Sequence, residues 1–274
     1  MRGGEGWPRA RKRAFRPNIL KANILRSKTE IRRLATPQDL FQAAAEEVLR
    51  VGAESIQQRG RFTLALSGGS TPKSLYRLIA ANAHDRLPWS KVFFFWGDER
   101  HVPPTDAESN YRMASESLLS KIPVPPANVF RIPAEDPDAE AAARSYERTL
   151  REFFALQPGE FPVIDLILLG MGPDGHTASL FPGTDALQDQ SHLVAANWVE
   201  KLDTFRITLT LPMLNAARNV VFLVSGADKA AALHEVLEGP AAGKQYPSQL
   251  VRPIQGKLIW LVDRAAGSVL TPGE

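Results

Sequence analysis

The chain predicts an α/β fold: a single domain on a mainly parallel, Rossmann-like sheet with helices on both faces. Three observations carry that expectation. Apolar runs over residues 62–66, 92–96, 163–169, 220–224 and 258–262 show the continuous hydrophobic character of strands buried on both faces, with Asp165 the one charge among them. Stretches of helical spacing lie between these runs, so strands and helices alternate through the chain. No internal repeat, low-complexity tract or domain linker interrupts the sequence after residue 36.

The first helix is expected from Thr36. In TPQD, Thr36 is the N-cap, Pro37 the first helical residue and Asp39 the partner that completes a capping box. Leu40, Phe41, Ala44, Val48, Val51 and Ile56 recur at helical spacing, and Gly60 stops the helix. The strand at 62–66 runs into SGGSTP (67–72), and Pro72 opens a helix over KSLYRLIAAN. The strand at 92–96 runs into GDERHVPP (97–104), followed by a helix over about 109–121 and a proline-rich link. Residues 129–132 are expected as a short edge strand. Residues 138–156 are expected as a surface helix with Ala142, Tyr146, Leu150 and Phe153 on one side. The strand at 163–169 breaks at Gly170, Gly172, Pro173 and Gly175, a turn only glycine-rich backbone makes. Beyond Pro182 no element is assigned until FRITLTL (205–211), a strand by its alternation and β-branching; helices from Pro212 and over 228–237 complete the pattern.

Charge is unevenly spread. Residues 1–28 hold nine Lys/Arg against one acid, Glu5, and so carry +8; with the whole chain at +3, the remainder carries −5. Residues 1–30 therefore read as a basic, disordered tail and 31–274 as the folded domain. An Arg-rich, acid-poor start also fits an organelle transit peptide, although Ser27 is its sole serine and no amphipathic period is clear. A nucleic-acid arm would carry interleaved aromatics or a helix-turn-helix pattern, which the tail lacks, so no nucleic-acid partner is expected. No apolar run approaches the roughly 20 residues of a transmembrane helix, so no membrane partner is expected either. Absent cysteine excludes disulfides, thiolate catalysis and cysteine-bound metals, and accords with the reducing cytoplasm as the expected location. The five histidines (His84, His101, His176, His192, His234) include no i, i+4 pair, and no metal is expected.

Parallel strands joined by right-handed crossovers place all their carboxyl ends on one edge of the sheet. SGGSTP, GDER and GMGPDGH each follow a buried strand and should meet along that rim, joined by the SGAD turn after Val224 and its Lys229. SGGSTP offers backbone N–H groups of Gly68 and Gly69, the hydroxyls of Ser70 and Thr71, and a helix N-terminus, a combination suited to phosphate or to a plain helix cap. It is not a Walker loop, because no Gly-Lys-Ser/Thr follows. Arg100 could hold a phosphate, a carboxylate or a developing oxyanion, or pair structurally with Asp98 or Glu99. His176 is either a buried loop histidine or a functional base, and a phosphate cradle with Arg100 on the same rim favours function. GMGPDG matches the dinucleotide fingerprint G-x-G-x-x-G, but Pro182 and Gly183 cut short the helix that fingerprint needs.

LALSGGSTP, WGDERHVPP with SNYRMA after it, and LGMGPDGHTASLFPGT resemble the three hallmark blocks of the 6-phosphogluconolactonases. The segments RITLTLPMLNAARNVVFLVSGADKAAAL and LIWLVDRAA are similar to that family as well, so the likeness runs in order from about residue 35 to 266. The resemblance implies hydrolysis of 6-phospho-D-glucono-1,5-lactone to 6-phospho-D-gluconate in the oxidative pentose phosphate pathway, without metal or organic cofactor. It implies His176 as the general base and Asp174 as its orienter or a contact to sugar hydroxyls. Arg100 becomes the oxyanion stabiliser, while Gly68, Gly69, Ser70, Thr71, Asp98, Arg206 and Lys229 bind the phosphosugar. Arg206 starts a strand, so it reaches the active rim only if that strand runs antiparallel to the others. The expected partner is the small phosphosugar lactone, with the chain a monomer or small homo-oligomer. Glucosamine-6-phosphate deaminases resemble the chain too, but their Asp-Gly-His turn is followed by a glutamate, and TASLFPGT (177–184) has no acid. A sugar-phosphate-sensing regulator would need a DNA-binding domain, for which the first 35 residues are too short.

Overall fold

The computed structural model describes residues 28–82, 85–240 and 246–272. The expected tail lies outside the described residues except for its last three positions, and His84 lies outside them as well. In chain order the elements are β1 (Lys28–Leu34), α1 (Pro37–Arg59), β2 (Phe62–Leu66), α2 (Ser70–Asn82), β3 (Val92–Trp96), β4 (Asp98–Arg100), α3 (Asn110–Ser117) and α4 (Ala139–Phe154). There follow β5 (Leu166–Gly170), β6 (Val194–Val199), β7 (Thr204–Leu209), α5 (Leu211–Asn215), β8 (Asn219–Val224), α6 (Ala230–Leu237), α7 (Pro247–Leu250) and β9 (Lys257–Asp263).

Six strands form an all-parallel sheet in the order β1-β9-β8-β5-β2-β3, flanked by helices as expected. Its central strands are buried along their length, which is why they lack polar alternation. Helix α1 starts as read: Thr36 Oγ1 accepts the Asp39 N–H, the Asp39 carboxylate accepts the Thr36 N–H, and Gly60 ends the helix at φ +75°.

Two buried tyrosines fix the strand ends that carry the loops. Tyr76 Oη accepts the Ser67 N–H and donates to the Ser67 carbonyl, both at 2.9 Å, at the end of β2. Tyr146 Oη does the same at the end of β3, accepting from Trp96 N at 2.8 Å and donating to its carbonyl. Each hydroxyl satisfies backbone groups as the ladder ends and the loop begins.

At the other end of β5, Asp165 lies just before the strand rather than within it. Its carboxylate accepts the Thr63 N–H and hydroxyl, each at 2.9 Å, and pairs with Arg59. The charge that broke the apolar run is thus a buried fastening between β2 and β5.

The fold departs from the sequence reading in several places, β6 and α7 among them, since the sequence assigns no element at either. First, β1 precedes Thr36, pairing with β9 at the sheet edge. Its sequence KTEIRRL is charged and leaves Ile31 exposed, as edge strands are, so it lacks a buried strand's signature. Second, GDER is not a loop throughout: Asp98–Arg100 is strand β4, which joins β7 and β6 in a separate antiparallel sheet of order β4-β7-β6. The chain crosses between sheets at Gly97, whose N–H reaches the Leu66 carbonyl and whose carbonyl receives the Leu209 N–H. Third, residues 129–132 make only an isolated bridge, Val129 to Phe94.

Candidate active site

The carboxyl ends of β2, β3, β5 and β8 open onto one cleft of about 480 Å³. Gly68, Gly69, Ser70, Thr71, Asp98, Arg100, His176, Arg206 and Lys229 all line it. The loops converge because a parallel sheet sets every strand's carboxyl end on one margin.

The loop after β5 is shaped around His176. Gly172 N–H donates to the His176 carbonyl at 2.9 Å, and Gly175 turns the chain at φ +74°. A Cβ on Gly172 would stand 2.1 Å from the His176 ring, so only glycine lets the ring lie against the backbone. Phe181 stacks on the imidazole with centroids 4.1 Å apart. Asp174 Oδ1 sits 2.5 Å from His176 Nδ1 and also accepts the His176 N–H. An ionised carboxylate only accepts, so Nδ1 carries a proton, and in the neutral imidazole the lone pair is therefore on Nε2. Asp174 Oδ2 receives the ammonium of Lys201. Burial pushes the Asp174 carboxyl up, but the hydrogen bonds from His176 and Lys201 override it and hold the group well below the usual carboxylate range. Asp174 does not line the cleft; it faces an adjoining groove behind the imidazole.

Helix α2 begins at Ser70, so Ser70 and Thr71, whose N–H groups have no partner within the helix, line the cleft beside Gly69, which sits at φ +101°. Lys229 enters from the turn after β8, its ammonium 2.8 Å from the Asp228 carboxylate. That turn is held by the buried Asp263, whose carboxylate accepts the Ser225 hydroxyl at 2.5 Å and the Gly226 N–H.

The small sheet supplies the arginines. β7 runs antiparallel to β4, with Arg206 directly across from Arg100. β7 lies in this small sheet and not among the strands of the parallel one, and from there Arg206 lines the cleft. Burial and then the charge of Arg100 push the Arg206 guanidinium below its ordinary value, and its Nε is buried with no partner among the described residues. Arg100 pairs with neither Asp98 nor Glu99; its guanidinium donates to the Glu108 carbonyl. Glu99 is committed instead to the start of α3, accepting the N–H groups of Arg100, Asn110 and Tyr111 at 2.7–2.8 Å. Burial pushes the Glu99 carboxyl up, against those three donors.

The chain matches a family described as glucosamine-6-phosphate isomerases/6-phosphogluconolactonase over residues 35–260. A 6-phosphogluconolactonase of Nostoc sp. (strain PCC 7120 / SAG 25.82 / UTEX 2576) is 48% identical over 217 residues, 79% of this chain and 88% of the relative. Another 6-phosphogluconolactonase, from Synechocystis sp. (strain ATCC 27184 / PCC 6803 / Kazusa), is 45% identical over 239 residues, 87% of this chain and 97% of the relative. The chain belongs to this family. Within the glucosamine-6-phosphate isomerase/6-phosphogluconolactonase family the fold is shared too. The solved 6-phosphogluconolactonase from Trypanosoma cruzi matches with a TM-score of 0.80 at 29% identity, covering 91% of this chain and 100% of that structure.

Every predicted site residue falls inside the span matched to the glucosamine-6-phosphate isomerase/6-phosphogluconolactonase family. Asp98 lines the cleft, yet its carboxylate accepts the Ser179 hydroxyl at 2.7 Å and the Asn110 amide at 3.4 Å. It thereby braces the small sheet against the His176 loop. Asn110 and Lys201 also line the cleft and were not picked out as site residues. Asn110 sits in SNYRMA, one of the quoted blocks, and its Oδ1 lies where a Gly68 side chain would be, at 1.8 Å from that Cβ position. Lys201 belongs to the stretch between Pro182 and Phe205, where no periodicity marked an element. His101 is turned away, with Nε2 2.6 Å from the Asp136 carbonyl.

Proposed function

We propose that this chain hydrolyses 6-phospho-D-glucono-1,5-lactone to 6-phospho-D-gluconate, with His176 activating water. One observation carries the reading: an imidazole held by a carboxylate shares a cleft of sugar-phosphate size with a helix N-terminus and three cations, Arg100, Arg206 and Lys229. The names of the relatives support the substrate.

The 6-phosphate is held by the first-turn N–H groups of α2, the hydroxyls of Ser70 and Thr71, Arg206 and Lys229. This leaves the lactone carbonyl at the His176 end of the cleft. Nε2 takes a proton from water as its oxygen attacks C1. The carbonyl oxygen becomes an oxyanion, which Arg100 stabilises. When the C1–ring oxygen bond breaks, the imidazolium returns its proton to the departing ring oxygen, and the product is the open-chain acid. Asp174 keeps the imidazole in the required tautomer and stabilises its charged form. Deamination is the poorer reading: the loop carries no acid between Thr177 and Thr184 to support ring opening.

The test follows acid release from freshly made 6-phosphogluconolactone beside ammonia release from glucosamine 6-phosphate. Acid release alone is expected, and His176→Ala should lower its kcat by about 10²- to 10⁴-fold with the fold intact. Ammonia release, or an unaffected His176→Ala enzyme, would refute the assignment.

A further inference from the structure

The ammonium of Lys201 touches the reaction machinery from outside every recognisable motif. It stands on the single 3₁₀ turn Glu200–Leu202 between β6 and β7 and reaches across to the loop after β5. Its Nζ bonds Asp174 Oδ2 and lies 4.6 Å from the centroid of the Phe181 ring. The same ring stacks on His176, and the other oxygen of the same carboxylate holds His176 Nδ1. Lys201, Asp174, His176 and Phe181 thus form a closed cluster, and Lys201 lines both the cleft and the groove behind it.

We propose that Lys201 is a positioning residue: it fixes the Asp174 carboxylate so that His176 keeps its proton on Nδ1 and its Nε2 lone pair toward the cleft. This deepens, and rests on, the reading of His176 as the base. A carboxylate anchored through one oxygen turns easily about its last torsion, whose energy profile is broad. A second anchor on the other oxygen sets the carboxylate plane, and through it the imidazole. The ammonium also lowers the basicity of Asp174. A proton taken from water therefore stays on the imidazole until the ring oxygen departs, instead of passing to the carboxylate. Arg100, Arg206 and Lys229 already supply the cleft with cations, so anion binding does not require a fourth one at this position. The side chain is 53% exposed, and its truncation leaves no buried void to destabilise the protein.

The experiment compares the full-length wild type with Lys201→Met and Lys201→Arg, using steady-state kinetics on the lactone and ¹⁵N NMR of the His176 ring at about pH 8, above the usual imidazole range. Wild type should show one protonated and one bare ring nitrogen. In Lys201→Met the two ¹⁵N shifts should draw together as the tautomers mix. Its kcat should fall about tenfold, the size of one charge-assisted hydrogen bond, while KM stays within about threefold. Lys201→Arg should restore both readouts. Unchanged nitrogen shifts, an unchanged kcat, or a loss confined to KM in Lys201→Met would overturn the proposal. If wild type fails to hydrolyse the lactone, the functional reading falls. The nitrogen shifts, which need no substrate, then decide on their own whether Lys201 holds the pair.

Discussion

Arg100 and Arg206 stand directly opposite each other across the antiparallel pair of β4 and β7, on the face that lines the cleft. Like charges at facing positions destabilise a sheet. Neither guanidinium is neutralised by a carboxylate ion pair among the described residues, and Arg206 Nε is left buried without a partner. An arrangement that costs stability in the empty protein is what an anion site requires. A bound anion, as proposed for this cleft, would supply both the missing acceptor and the missing charge.

Arg206→Met should therefore separate stability from binding. It removes the repulsion, so the melting temperature of the ligand-free protein at low salt should rise by about 1–3 °C, from a facing-charge cost of about 0.2–1 kcal/mol. It also removes a charge-assisted contact, so KM for the phosphorylated lactone should rise by about 10- to 100-fold. Thermal unfolding and initial-rate kinetics on one preparation check both signs. A fall in melting temperature with KM unchanged would make Arg206 a structural residue.

The depressed Asp174 carboxyl gives a pH signature with a definite sign. Its folded-state value lies below that of the unfolded chain, about 3.9 for a free aspartate, so the stability it contributes is full above that value. That contribution is lost as the pH falls through the folded-state value. The unfolding free-energy gap between wild type and Asp174→Asn should hence be full near pH 5 and narrow below about pH 4. Urea titrations across that range measure it. A gap that widens toward acid would mean that the carboxyl is protonated in the folded protein.

Gly172→Ala tests how tightly the backbone holds the imidazole. The added methyl would overlap the His176 ring and approach Asp174 Oδ1 at 2.8 Å, so the ring or the turn must move. Stability should fall by about 1–3 kcal/mol, as for other overpacked sites. The kcat for lactone hydrolysis should fall at least about tenfold, because a base displaced by a fraction of an ångström loses its alignment. Denaturant unfolding and steady-state kinetics distinguish this from loss of fold alone.

Much of this was legible in the letters. The strands 62–66, 92–96 and 220–224 and the Thr36 capping box rest on local rules, since burial on both faces and helix capping leave their mark on adjacent residues. The loops could be placed on one margin from topology, which needs only the alternation of strand and helix and the handedness of the crossovers. His176 and the hydroxyls of Ser70 and Thr71 stand out because each loop follows a buried strand directly, although α2 starts at Ser70, two residues before the Pro72 start that the sequence suggests. Strands β1, β4 and β6 were not legible. β1 is a charged edge, β4 has only three residues, and β6 is half-buried without clean alternation, so what makes each a strand is its partner.

The sequence by itself determined the parallel α/β sheet, the glycine turns and the residues able to do acid–base and anion chemistry, because these depend on side-chain pattern over a few positions. Only the tertiary structure decided that β7 runs antiparallel and delivers Arg206 opposite Arg100, that Asp98 is spent on Ser179 and Asn110, and that Lys201 grips Asp174. Those are contacts between segments from 12 to more than 100 residues apart, and their geometry is set by how the two sheets pack, which no local pattern records.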